Sequence, residues 1–345
     1  MNMPTVYVAS NRERVGKTAV CVTLARKLSQ EGRKVALFKP FHLTTPGGEP
    51  DHDGQILRQA AGIQEKAVAQ WPVALYREGD LLQGLPMERA LEAFKGANAG
   101  AEVTIVEGIS GLEGPPGSAS RQLAQGMDAL VAVVIGFSPG LDVGEALEAK
   151  GLFGERLMGV VINGVTRYRL REVRENLVPR IEAEGVKVLA VIPEERRLLG
   201  VSVGQLAHHL DGRFLNLEEK RDNYVEHFLI GGMVRDWGVV YFERFSNKAV
   251  IVRGDRPDIQ MAALATPTSC IVLTGGHLPI EYVRYEAEEE GVPLIQVEAD
   301  TLSAALALES LQGKALFDHP VKQERFLELM SQYGSWEAFH QSLGL

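Results

Sequence analysis

Thr5-Val6-Tyr7-Val8-Ala9-Ser10-Asn11-Arg12-Glu13-Arg14-Val15-Gly16-Lys17-Thr18 is an apolar run, a short polar loop and the start of an apolar-periodic segment that continues from Ala19 to Leu28. It reads as a buried strand that turns directly into a helix. Such a turn aims successive backbone N–H groups and the positive helix end at one point, which suits phosphate oxygens. In a Gly-Lys-Thr triplet so placed, Lys17 reaches phosphate and Thr18 reaches Mg²⁺. Asn11, Arg12, Glu13, Arg14 and Val15 form the loop that would wrap a nucleotide ahead of Gly16, Lys17 and Thr18. The usual first glycine is absent: Asn11 stands at the four-residue spacing, and Ser10 precedes it.

Composition bounds the rest. The 345 residues suffice for two cores of ordinary size, and 45% hydrophobic with 23% charged residues describes a globular chain. A formal charge of −9 without a long Lys/Arg run argues against nucleic-acid binding as the main activity, because a phosphate backbone needs a basic face, and leaves room for local basic patches. Cys21 and Cys270 fall in apolar segments and give neither a disulfide framework nor metal spacing. His208-His209 has no Cys or Glu at zinc-ligand spacing. The chain starts without a basic-then-apolar signal, and no apolar stretch approaches roughly 18 residues, so a cytoplasmic protein without a membrane span is expected.

Short β-rich runs alternate with helical patterns over the first two hundred residues, the signature of a parallel sheet covered by helices. The strands predicted are Val6 to Ala9, Lys34 to Phe38, Val103 to Val106, Ala129 to Ile135, Gly159 to Ile162 and Val188 to Ile192. A second β-α series places strands at Ala249 to Val252, Cys270 to Leu273 and Leu294 to Val297, with an entry strand near Val239 to Phe242. From Val321 to Phe339, apolar residues at helical spacing predict one or two short helices packed back on the body. The expected domains are 1–200, 201–320 and a helical tail 321–345.

In an open parallel sheet, ligands bind beyond the carboxyl ends of the strands. That rule gathers the loop around Lys17 with Lys39-Pro40, Glu107-Gly108 and Asn163-Gly164, each following a strand. Applied to the second series, it gathers Asp255-Arg256, Thr274-Gly275-Gly276 and Asp300-Thr301. There two readings stand. Glycine N–H groups and Arg256 would bind an anion, or Gly275-Gly276 is a plain turn, Asp300 or Thr301 caps the next helix and Arg256 is salt-bridged.

The succession Ser10 to Thr18, Phe38-Lys39-Pro40, an acidic loop ending in Asp53, Val106-Glu107-Gly108 and Val161-Ile162-Asn163 resembles the dethiobiotin synthetase-like branch of P-loop proteins. Gly254-Asp255-Arg256-Pro257-Asp258 followed by Leu273-Thr274-Gly275-Gly276 is similar to the DRTGG domain. Their order resembles the N-terminal region of long-form phosphotransacetylases. The resemblance implies a P-loop NTPase-type α/β domain followed by a smaller α/β DRTGG-like domain. It implies that Lys17 and Lys39 act on phosphate or a phosphorylated intermediate, that Thr18, Asp53 and Glu107 hold Mg²⁺, and that Asn163 reads the base. ATP or another nucleoside triphosphate is the implied ligand, a homodimer the implied assembly, and a partner in acetyl-phosphate metabolism the implied context. No segment resembling the acetyl-transfer domain follows Val321, so a free-standing regulatory protein, not a phosphotransacetylase by itself, is expected. The alternative is an ATP-dependent ligase of the dethiobiotin synthetase or cobyrinate amidating type; a slow NTPase fits either.

Three departures from dethiobiotin synthetase stand out. Phe41-His42-Leu43-Thr44 replaces that family's Val-Ala-Ser-Gly, and Asp142 brings negative charge where a substrate carboxylate would bind. No efficient dethiobiotin synthesis is expected. Arg12 and Arg14 add positive charge to the loop: they bind phosphate, or Arg12 reaches across a dimer, or both pair with surface carboxylates such as Glu13.

Overall fold

The computed structural model describes residues 4–43, 52–60, 75–76, 87–97 and 100–344. The chain divides into two compact units, residues 1–195 with 323–345, and residues 196–322.

The first unit is built on a six-stranded parallel sheet: β1 Thr5–Ser10, β2 Val35–Phe38, β3 Val103–Ser110, β4 Leu130–Gly136, β5 Leu157–Val165 and β6 Val188–Pro193. The spatial order is β2-β3-β1-β4-β5-β6. β1 is buried along its whole length between β3 and β4, which is why it reads as an unbroken apolar run rather than an alternating one. The chain builds β2 and β3 on one side of β1 and then crosses to β4 on the other, so the loop after β1 lies where the connections diverge. Around the sheet lie α1 Lys17–Gln30, α2 His52–Ala60, α3 Met87–Ala97, α4 Gly114–Gly126 and α5 Gly144–Phe153. Tyr7, Phe38, Val106, Leu123, Val133 and Ile162 belong to one continuous core.

The second unit has a five-stranded sheet of β7 Arg213–Phe214, β8 His227–Ile230, β9 Lys248–Arg253, β10 Thr268–Thr274 and β11 Leu294–Gln296, in the order β7-β11-β10-β9-β8. Only β7 runs antiparallel. Side chains alternate between two cores: Ala249, Ile251, Cys270 and Val272 on one face, Val250, Val252, Ile271 and Leu273 on the other. Its helices are α6 Val203–His209, α7 Arg235–Phe242, α8 Pro257–Leu264, α9 Glu281–Glu289 and α10 Thr301–Gln312.

The entry strand expected near Val239 to Phe242 is instead the end of helix α7. Phe242 is fully buried and Gly238 lies against Ala262 of α8, whereas Trp237 is 68% exposed and Val240 is exposed too. That in-and-out spacing is helical, and packing on α8 overrides the β-propensity of Val-Val-Tyr-Phe. The strand that joins the sheet is the four-residue β8, in parallel register from His227 against Lys248 to Ile230 against Ile251.

Two further helices, α11 Pro320–Tyr333 and α12 Trp336–Leu343, follow α10. From Gln323 onward they belong to the first unit. Phe326, Leu329, Met330 and Phe339 are buried, the Ser335 N–H donates to the Leu189 carbonyl (2.9 Å), and Arg325 pairs with Glu195 (2.9 Å).

Candidate functional site

Helix α1 is preceded at its N-cap by Gly16, whose φ of 95° lies in the left-handed region that glycine enters without strain. A Cβ there would stand 2.5 Å from the Asn163 amide nitrogen, so glycine is also required by space. No side chain caps the helix, and its first turn carries no acidic residue. The N–H groups and partial positive charge that a cap would answer are therefore left for an anion.

Around this end the polar side chains converge. The Lys17 ammonium donates to the Ser10 hydroxyl (3.3 Å) and to that of Ser110. The Thr18 hydroxyl donates to Glu107 Oε1 (3.1 Å), and Glu107 is only 3% exposed. Lys39, just beyond β2, places its ammonium 3.7 Å from Asp53 and 4.0 Å from Glu107. The structure thus brings Lys17, Thr18, Lys39, Asp53 and Glu107 together. Residues 44–51, most of the expected acidic loop, lie outside the described residues, as does Thr44 of the departing segment.

Glu107 and Ser110 reach the same place because β3 is irregular there. Val8 pairs with Glu107 and Ser10 with Ser110, so β3 advances three residues while β1 advances two. A regular pleat would send residues three apart to opposite faces; the extra residue returns them to one side. Tyr7 supports the irregularity. Its hydroxyl accepts the Ile109 N–H (3.0 Å) and donates to Ser120 (3.2 Å), and its ring fills the space a Cβ on Gly108 would need, 2.3 Å away. Burial, partly offset by these bonds, pushes the Tyr7 phenol up to about 12. Neither Tyr7 nor Ser110 was marked by the sequence; Ser110-Gly111 after Glu107-Gly108 was the available signal, and a tyrosine inside a buried strand gave none.

The rest of the loop is tied to its own chain. The Asn11 carboxamide accepts the Gly136 N–H (3.1 Å) and donates to Glu145 of α5. Arg12 donates to the carbonyls of Gly136 (2.9 Å) and Phe137 (3.0 Å). Glu13 and Arg14 are exposed, Arg14 with φ 56°, while Val15 is buried and its carbonyl accepts from the Asn163 amide (2.8 Å). Asp142 accepts the Gly144 N–H (2.8 Å) at the start of α5. Burial first, then the Glu107 carboxylate, pushes the Cys21 thiol well above the usual thiol range.

For a divalent cation, the Thr18 hydroxyl and the Asp53 and Glu107 carboxylates supply hard oxygen donors beside the helix end where phosphates would lie, a set that suits Mg²⁺. Among the described residues no group of three or more His, Cys, Asp or Glu could hold a metal by itself. Water and phosphate oxygens would complete the octahedral sphere.

In the second unit the polar groups are saturated locally. Asp255 is paired with Arg253, and Arg256 with Asp258 (2.8 Å) and the Met233 carbonyl (3.0 Å). Gly275 and Gly276, both at positive φ, donate their N–H groups to Ala299 (2.9 Å) and Val297 (3.0 Å). The Thr274 hydroxyl bonds that of Thr301 (2.7 Å), and Asp300 caps α10 by accepting from Ser303 (2.8 Å).

A family model described as an AAA domain matches residues 4–201, and one described as a DRTGG domain matches residues 205–311. The phosphate acetyltransferase of Haemophilus influenzae is 24% identical over 372 residues, covering 92% of this chain and 50% of that protein. The chain spans about half the length of the phosphate acetyltransferases it matches. The cobyrinate a,c-diamide synthase of Herminiimonas arsenicoxydans is 29% identical over 187 residues, covering 53% of this chain and 37% of that one. The ATP-dependent dethiobiotin synthetase of Rhodococcus erythropolis is 26% identical over 204 residues, covering 55% of this chain and 88% of that enzyme. With its phosphate-loop unit matched over more than half of its length, the chain belongs to the AAA-domain family of P-loop proteins and carries a DRTGG domain behind it.

Proposed function

We propose that the first unit binds ATP or another nucleoside triphosphate with Mg²⁺ at the start of α1, and that the chain is a nucleotide-responsive regulatory or accessory protein of the kind found in the matched half of phosphate acetyltransferases. The uncapped α1 start, with Lys17 on the Ser10 and Ser110 hydroxyls and Lys39 4.0 Å from the Glu107 carboxylate that accepts from Thr18, carries this reading. Bound Mg²⁺ would neutralise phosphate charge. The chain's own part is to orient: Lys17, parked on two hydroxyls rather than on a carboxylate, can turn to a phosphate by exchanging neutral partners for a charged one. Lys17→Ala should weaken Mg-ATP binding at least about tenfold, since a charge-assisted contact is lost. Calorimetry showing no binding by the parent, or equal binding by a folded Lys17→Ala variant, would defeat the reading.

Lys39 favours a second reading. A second ammonium between two carboxylates could stabilise an acyl or carbamoyl phosphate, as an ATP-dependent ligase requires. ADP release that depends on a small-molecule acceptor would select the ligase; slow, acceptor-independent release would select the regulator. A cytoplasmic homodimer is part of the proposal, and a monomer by sedimentation equilibrium at micromolar concentration, with and without nucleotide, would remove the dimer.

A further inference from the structure

β5 runs past the phosphate loop and ends in a pinned turn. At Asn163 its side chain serves the loop, donating to the Val15 carbonyl (2.8 Å), while its own carbonyl accepts the Phe137 N–H (2.8 Å). That bond uses one N–H of the carboxamide; its second N–H and its Oδ1 suit the edge of a base, whereas the face of a base needs a surface of its own. Beyond Gly164, at φ +77°, the chain enters a one-turn 3-10 helix, Arg167–Arg169. Both arginines are committed. Arg167 pairs with Glu195 (2.7 Å), and Arg169 grips both oxygens of Glu172 (2.9 and 2.6 Å) and the Pro139 carbonyl (3.0 Å). Between them Tyr168 is 82% exposed.

Single exposed aromatics are ordinary; the placement of this one is what matters. The turn is connected to the phosphate loop through Phe137, whose ring lies under the Arg169 guanidinium at 5.8 Å and whose carbonyl accepts from Arg12 (3.0 Å). It follows β5, two strands along the sheet from β1. Two strand spacings amount to about 10 Å, the order of the span from the phosphates to the base of an extended nucleotide. We infer that Tyr168 is a stacking platform for the base of a nucleotide whose phosphates lie at α1. This rests on the nucleotide-binding reading. A ring on a turn fixed by flanking ion pairs loses little freedom on stacking, and stacking tolerates either purine because every base offers a π-face.

Calorimetry with Mg-ATP and with Mg-tripolyphosphate, a base-free probe, tests it. Tyr168→Ala should weaken Mg-ATP about tenfold or more while leaving tripolyphosphate binding unchanged, and Tyr168→Phe should restore wild-type ATP binding. An alanine variant that binds Mg-ATP like the wild type, or that loses both ligands equally, overturns the platform. Wild-type protein that binds neither ligand removes instead the phosphate-loop reading on which the platform stands.

Discussion

The two units use the same β-α grammar and put polar groups at the carboxyl ends of their parallel strands, yet they treat those groups differently. In the first, cations are held by hydroxyls, carbonyls and carboxylates from other strands: Lys17 by Ser110 of β3, Arg12 by the end of β4, Lys39 by Glu107. In the second, the charged groups pair within their own turn, Arg253 with Asp255 and Arg256 with Asp258, and the glycine N–H groups after β10 are taken up by carbonyls just past the adjacent strand β11. Contacts borrowed across strands converge on one point, and an arriving anion can exchange them; pairs closed within a turn hold the turn. A shared topology therefore does not impose a shared arrangement of polar groups at the strand ends.

Glycine replacements test this contrast most sharply. Gly16→Ala would force a left-handed φ on a side-chain residue and drive a Cβ to 2.5 Å from the Asn163 amide, so Mg-ATP binding should fall at least about tenfold with the fold retained. The equivalent change in the second unit, Gly254→Ala, drives a Cβ to 2.1 Å from the His277 carbonyl, where two loops meet. It should cost about 1–3 kcal/mol of stability and leave nucleotide affinity alone. Thermal unfolding and calorimetry on both variants read the difference; a Gly254→Ala variant that loses nucleotide affinity while its unfolding midpoint stays unchanged would erase it.

A smaller effect separates the units by pH. Lys322, fully buried at the end of the second unit, donates to the Leu316 carbonyl, and burial pulls its ammonium down from 10.5 to about 8, against a smaller opposing effect of Asp318. Between about pH 8 and 10.5 the unfolded chain holds a proton that the folded chain has released, so stability should rise with pH through that window, at most about 1.4 kcal/mol per pH unit. Below the window both states are charged and the burial penalty is full. Lys322→Met should abolish this share of the slope, and an unchanged pH profile of the unfolding midpoint would contradict it.

Much of this was legible in the sequence because the deciding signals are local. Six apolar runs marked all six strands of the first sheet, and Gly16-Lys17-Thr18 marked the start of α1. What was not legible depended on neighbours distant in the chain. The extra residue in β3 that aligns Ser110 with Glu107 needs Tyr7 on the adjacent strand to take up the Ile109 N–H. The apolar run Val239 to Phe242 became helix through its contact with α8. The saturation of Gly275 and Gly276 required carbonyls of Val297 and Ala299, about twenty residues on.

The return of the chain at Gln323 changes how this molecule should be divided. A cut near residue 200, the natural choice from the order of motifs, would strip α11 and α12 away and leave the apolar surface that received Phe326, Met330 and Phe339 bare to water. Topologically the DRTGG-bearing unit is an insertion with two covalent crossings, not a bead on the end of a string. Since Glu195 and Arg325 are already ion-paired, the fragment with the best prospect of folding alone is an internal deletion that joins the chain across that pair.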